Sequence, residues 1–196
     1  MRKVTIIFCL VGLFSACNFS ETEGEKYSKL VKRELAKGVR VDSLFHDIKL
    51  GMTSKEFYTH CWDLNKKGIL MDGEMNTAVL YKLKDELKHP GSMNFYPDFY
   101  EDKIAKMRAK FSYDAWAPWN KNLFADSLMP DVLNLCKTWY PRGNEFITLN
   151  DSIRGTIHVK VDGNRRIIIG KVDDRVVLVD YTDLLIEEKL KNAQPK

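Results

Sequence analysis

Apolar residues recur at helical spacing in a first segment between two breaks in the chain. They follow intervals of three and four residues from Phe57 to Leu64, and Gly68 comes directly after the segment. Thr53 or Ser54 can cap the first turn, which favours a helix that begins there. The predicted helix buries one broad aromatic face, made by Phe57, Tyr58, Cys61, Trp62 and Leu64.

A second helix is predicted by the same spacing further along the chain. Its apolar positions are Leu128, Val132, Leu135, Cys136 and Trp139. Proline is tolerated in the first turn of a helix, so Pro130 is expected there. Pro141 and Gly143 then end the element.

Alternation with a period of two predicts strands elsewhere. Residues 77–84 form one candidate, and residues 105–113 alternate apolar side chains with Lys106, Arg108 and Lys110. The alanines and lysines of 105–113 also suit a helix, but the alternation favours a strand with one basic face. Three further strands with tight turns between them are predicted over residues 156–161, 166–172 and 175–181, followed by a short charged helix over 182–192.

The order helix, strands, helix, strands predicts an α+β fold. Antiparallel strands form one or more sheets, and the two main amphipathic helices pack on one face. Cys61 and Trp62 in the first helix correspond to Cys136 and Trp139 in the second. A duplicated helix-plus-strands unit, with halves 38–114 and 115–192, would explain this correspondence, and coincidence of two aromatic-rich helices is the alternative.

The amino-terminal segment carries a targeting pattern. Arg2 and Lys3 precede an apolar run that is too short to span a bilayer, which is typical of a signal peptide over residues 1–16. The following Leu13-Phe14-Ser15-Ala16-Cys17 resembles the lipobox of bacterial lipoproteins, which implies acylation of Cys17. The alternative is ordinary secretion without a lipid. Residues 17–37 are expected to tether the domain, residues 38–192, to the outer membrane of a bacterial envelope, on its periplasmic or surface side.

Charge and cysteine content narrow the possibilities. The formal charge of +4 falls to +2 when residues 1–16, with Arg2 and Lys3 and no acid, are removed. Such a small and scattered excess indicates no nucleic-acid partner. Cys61 and Cys136 are either a disulfide or two buried thiols. Histidines, cysteines and acids show no catalytic or metal-ligand spacing, so no catalytic residue, metal or cofactor is predicted.

A short segment at the start of the domain resembles a known module. The stretch "DIKLGMTSKEFYTHC" is similar to the strand, Gly-Met-Thr and helix that open small outer-membrane-assembly lipoproteins and β-lactamase-inhibitor-like domains. The general layout resembles that of lipoproteins of Bacteroidetes. This resemblance implies an interaction module with an envelope protein as partner, rather than an enzyme.

An aromatic loop offers an alternative function. Tyr113, Trp116 and Trp119 can form a flat platform for a glycan or for an envelope enzyme's substrate, or they can cover a small satellite core. An exposed apolar sheet face would favour the protein-partner function. A deep pocket that joins this loop to His158 or Cys61 would favour the alternative.

Overall fold

Two antiparallel meanders of four strands each make one continuous sheet. The computed structural model describes residues 22–73 and 77–193. The first meander consists of β1 (Leu70–Asp72), β2 (Val79–Leu83), β3 (Gly91–Tyr100) and β4 (Lys103–Tyr113). The second consists of β5 (Ile147–Asp151), β6 (Gly155–Asp162), β7 (Arg165–Lys171) and β8 (Val177–Asp183). β4 pairs with β8, which gives the strand order β1-β2-β3-β4-β8-β7-β6-β5 and confirms the α+β class.

One helix precedes each meander. Helix α2 (Ser54–Lys66) comes before β1, and helix α3 (Ala125–Trp139) comes before β5. Each half of the chain is therefore one helix followed by a four-stranded meander, whereas the duplication itself stays a prediction. Two further helices, α1 (Glu23–Ala36) and α4 (Leu184–Ala193), flank these units.

The sequence predicts where α2 begins, but not where α3 begins. Thr53 caps α2 through a reciprocal pair of hydrogen bonds with Glu56, as its sequence indicates. Helix α3 begins at Ala125, whose amide donates to the carbonyl of Asp174. The expectation that Pro130 lies in the first turn is therefore wrong, because the helix starts a turn earlier and Pro130 is its sixth residue.

The main core lies between the sheet and the pair α2 and α3. Phe57 and Cys61 of α2 and Leu128 and Val132 of α3 are buried in one cluster. The strands contribute apolar residues from both meanders, including Phe95, Met107, Phe111, Ile169, Val179 and Tyr181. Both predicted helices thus pack on one face of the sheet, as the sequence analysis expects.

Over the second meander, a helix among the described residues covers the opposite face. There, α1 contributes Tyr27, Leu30, Val31 and Leu35 to a second apolar cluster with the outward residues of β5 to β7, such as Ile157 and Val159. The structure differs here from the tether predicted for residues 17–37. Residues 23–36 form a capped helix that lies against the sheet, because their apolar stripe meets the apolar outer face of these strands.

A buried polar network holds α1 to the turn between β6 and β7. Glu34 accepts a hydrogen bond from the Gly163 amide (3.3 Å) and one from Lys37 (2.7 Å). Gly163 has a positive φ, and a Cβ atom there would lie 2.2 Å from the carbonyl oxygen of Val39. Only glycine fits this close approach. Asp162, Lys160 and Arg165 continue the network below the surface.

The contact between α1 and the turn predicts a pH dependence of stability. Burial opposes ionisation of Glu34, but hydrogen bonds from Lys37, Asn144 and Gly163 outweigh it and lower its pKa from 4.5 to about 2. A carboxylate with a lowered pKa stabilises the fold above its unfolded pKa, and this stabilisation is lost as the pH falls from about 4.5 towards 2. The shift corresponds to roughly 3 kcal/mol at neutral pH.

We therefore expect Glu34→Gln to lower the free energy of unfolding in urea by roughly 3 kcal/mol at pH 7 and by much less at pH 2.5. Glu188→Gln, which changes an exposed glutamate of α4, serves as the matched control. If the free energy of unfolding had the same pH dependence in both variants, the stabilising role of the Glu34 carboxylate would be contradicted.

Candidate functional site

The first meander leaves its outer face open. In the register of β2, β3 and β4, alternate side chains point away from the main core. Apart from Leu80, these outward residues are polar or aromatic, and no helix among the described residues covers them. We name this surface the sheet groove and define it by Leu80, Lys82, Ser92, Asn94, Tyr96, Arg108, Lys110 and Ser112.

The sheet groove contains two open depressions that join. The larger has a volume of about 640 Å³ and the smaller about 220 Å³. Asn94 and Lys110 line both of them. A ligand that fills the groove therefore crosses this pair of side chains.

A hydrogen-bonded triplet forms one wall of the larger depression. The Lys82 ammonium donates to the Ser92 hydroxyl oxygen (2.9 Å) and to the Asp114 carboxylate (3.1 Å), and the Ser92 hydroxyl donates to Asp114. The triplet presents an ammonium, a hydroxyl and a carboxylate side by side, which suits the binding of polar groups.

Charged pairs continue the groove towards β8. Arg108 donates two hydrogen bonds to Asp98, at 2.9 and 2.8 Å. Asp180 lies directly opposite Arg108 on β8. Burial raises the pKa of Asp180 above its usual value, although nearby cations including Arg108 oppose this. Its Oδ1 atom is buried without a hydrogen-bond partner.

Three exposed aromatic residues form what we call the aromatic cluster: Tyr58 and Trp62 of α2 and Tyr96 of β3, with 50%, 61% and 40% of their surface exposed. Tyr96 lines the smaller depression, and Trp62 follows Tyr58 by one turn of α2. The hydroxyls of Tyr58 and Tyr96 are 2.5 Å apart. The prediction that α2 buries Tyr58 and Trp62 is therefore wrong. Phe57 and Cys61 occupy the inner face, and a residue one step further along a helix is rotated away from it.

The predicted aromatic platform is dispersed in the structure. Tyr113 is buried and donates a hydrogen bond to Asp131 of α3 (2.7 Å). Trp116 is half-buried against Phe124, whereas Trp119 is 85% exposed. The structure thus does not bring the three rings together on one surface. Arg175 connects Trp116 to the sheet groove. Its guanidinium carbon lies 6.0 Å from the centre of the Trp116 ring, and its side chain lines the larger depression.

His158 and the two cysteines belong to other parts of the fold. His158 lines an open depression of about 530 Å³ between α3 and β6, and no residue of the Trp116–Trp119 loop lines it. Cys61 and Cys136 are buried and unpaired. Burial raises the pKa of each thiol to about 12, so neither is a ready nucleophile.

The described residues can be searched for membrane-spanning helices and for metal ligands. Cys17 and residues 1–16 lie outside the described residues. Over residues 22–73 and 77–193, every helix is too short or too polar to cross a bilayer. The same part of the chain holds no group of three histidine, cysteine or acidic side chains placed as metal ligands.

The state of the thiols can be measured directly. We expect iodoacetamide at pH 8 to leave Cys61 and Cys136 unmodified in the folded protein and to modify both in urea without a reductant, because burial alone protects them. Peptide mass spectrometry identifies the modified residues. Failure of both to react in urea until a reductant is added would reveal a disulfide instead.

Comparison of the chain with protein families, with curated proteins and with solved structures finds no match. The geometry of the groove and of the aromatic cluster therefore provides the argument for function.

Proposed function

We propose that this protein is a lipid-anchored component of a bacterial cell envelope that binds a protein partner through the sheet groove and the aromatic cluster. The observation that carries the proposal is the open, charged groove together with the three exposed rings of the aromatic cluster. Tyrosine, tryptophan and arginine are enriched among the residues that contribute most to protein interfaces. Tyr58, Trp62, Tyr96 and Arg108 supply this combination.

The charge of the groove modifies the kind of partner that the sequence suggests. An exposed apolar sheet face would favour a protein partner, and here the apolar surface consists mainly of the aromatic cluster, Leu80 and Val176. The centre of the groove consists of ion pairs and hydrogen-bonding groups. The partner is therefore one with a polar surface around a small apolar anchor, as in interfaces that form and dissociate.

The position of α1 places the domain close to the proposed anchor. Helix α1 begins at Glu23, six residues after Cys17, and six residues span at most about 20 Å. An acylated Cys17 would thus hold the folded domain next to the bilayer surface. Two or more acyl chains give a stable anchor, since each buried methylene contributes about 0.8 kcal/mol.

The anchor is tested by labelling with a radioactive fatty acid in a bacterial host. We expect the wild-type chain to take up the label and to sediment with membranes, and Cys17→Ser to do neither, because the thiolate is the acyl acceptor. Cys9→Ser is the matched control, since Cys9 lies within the segment expected to be removed. Membrane sedimentation and labelling of Cys17→Ser equal to wild type would contradict the proposed anchor.

The binding surface is tested with a photo-crosslinking amino acid in place of one aromatic residue. We expect Trp62 or Tyr96 replaced in this way to give one discrete protein adduct in intact envelopes, because these rings lie at the proposed interface. Trp119, which is more exposed and belongs to the loop after β4 and not to the aromatic cluster, is the matched control. We expect Arg108→Glu to abolish the adduct, because it places a repelling charge beside Asp98 and Asp180 in the groove.

Two results would contradict the proposed interface. One is an adduct at Trp119 with none at Trp62 or Tyr96, and the other is an adduct that Arg108→Glu leaves unchanged. Retention of envelope oligosaccharide by the purified protein, lost in Trp119→Ala, would instead support the glycan-binding alternative at the Trp116–Trp119 loop.

A further inference from the structure

Three cations of β4 point into or beside the sheet groove, and their neighbours differ. Lys106 lies opposite Asp98 on β3, and Arg108 lies opposite Asp180 on β8. Lys110 lies between Asn94 on β3 and Leu178 on β8. Lys110 is therefore the cation of this row that has no carboxylate directly opposite on either side.

Among the described residues, Lys110 also has no partner of any other kind. It makes no ion pair, hydrogen bond or ring contact within residues 22–73 and 77–193. The other cations that line the two depressions are engaged: Lys82 by Asp114, Arg108 by Asp98, and Arg175 by the ring of Trp116. An exposed ammonium of this kind is available to an anionic group of a ligand.

The remaining charge of the groove limits what that ligand can be. The residues lining the two depressions include four cations and four carboxylates, namely Lys82, Arg108, Lys110 and Arg175 with Asp72, Asp98, Asp114 and Asp173. This balance gives no net attraction for a polyanion such as a nucleic acid or a densely anionic glycan. It favours a ligand with one isolated negative charge.

The surroundings of Lys110 indicate what flanks that charge. Tyr96 lies on one side of it in the smaller depression, and Leu80 and Val176 lie on the other side in the larger depression. A small free anion would contact Lys110 but leave both apolar flanks empty. Resting on the proposed function, we infer that the groove binds an extended segment of the protein partner that places a single carboxylate on the Lys110 ammonium, between apolar side chains.

A model peptide tests this inference on the full-length chain in dodecyl maltoside, a non-ionic detergent. The probe is the heptapeptide Thr-Val-Thr-Glu-Thr-Val-Thr, blocked at both ends and labelled with tetramethylrhodamine, and fluorescence anisotropy measures its binding. We expect it to bind at least fivefold more tightly than the same peptide with a central glutamine. The preference should shrink between 50 and 500 mM NaCl, because salt screens an exposed pair.

Two variants and one control test whether the Lys110 ammonium is the group that binds the glutamate of the peptide. Lys110→Gln removes the ammonium and should abolish the preference for glutamate. Asn94→Asp gives Lys110 a carboxylate of its own and should also abolish the preference, although the lysine is retained. Lys106→Gln, the same change four residues away on β4, should keep the preference. Unchanged circular dichroism of each variant shows that the fold is intact.

Several outcomes would overturn the inference. They are equal binding of the glutamate and glutamine peptides to wild type, a preference that persists in Lys110→Gln, or one that disappears equally in Lys106→Gln. Displacement of the peptide by 1 mM inorganic phosphate would assign the site to a small anion instead. If the adducts at Trp62 or Tyr96 form while the peptide preference is absent, the inference about Lys110 fails and the proposed interface stands.

Discussion

The pairing of β4 with β8 is the contact on which the rest of the structure depends. Each meander has an apolar inner face, and α2 and α3 pack against these faces in one shared cluster. The β4–β8 ladder aligns Met107 with Tyr181 and Phe111 with Val177, so one core runs under α2 and α3 across both halves. On the outer face the same register sets Arg108 beside Asp180. The core and the charged surface thus follow from a single alignment of two strands.

The sequence predicts those elements whose apolar period is long and uninterrupted. Helices α2 and α3 follow from spacing, and β4 follows from the alternation that also predicts its basic face. The meander β6–β8 follows from three short apolar runs with turns. By contrast, β1 has three residues, and β3 contains Pro97, which weakens a strand pattern. Helix α1 reads as a polar spacer because its apolar stripe is narrow, and only the outer face of β5–β7 shows what it packs against.

The candidate site is less accessible to sequence reasoning because its residues come from separate segments. Exposed aromatic residues in an amphipathic helix resemble core residues, so Tyr58 and Trp62 were expected to be buried. Their exposure follows from the rotation of α2, whose inner face is occupied by Phe57 and Cys61. The predicted platform of Tyr113, Trp116 and Trp119 fails for the opposite reason, because residues that are neighbours in the sequence do not share one surface in the structure. These residues are close in the chain, but Tyr113 ends a strand and points to α3, whereas Trp119 lies on a loop. The sequence predicts the basic face of β4. It does not predict which cation lacks a carboxylate opposite it, because Lys110 is identified only from the residues of β3 and β8 that pair with it.

The two halves of the protein differ in the use of their outer faces. In the second half, Ile147, Leu149, Ile157, Val159 and Ile168 are apolar, so burying them under α1 stabilises the fold. In the first half, the corresponding side of the sheet carries charged pairs and hydroxyls, and covering it with an apolar helix would desolvate them at a cost. A face that is costly to cover within the chain stays open to a partner that supplies matching polar groups. This difference in side-chain chemistry separates two similar units of helix and four strands: one attaches the amino-terminal helix, and the other keeps the polar face that we propose as a binding surface.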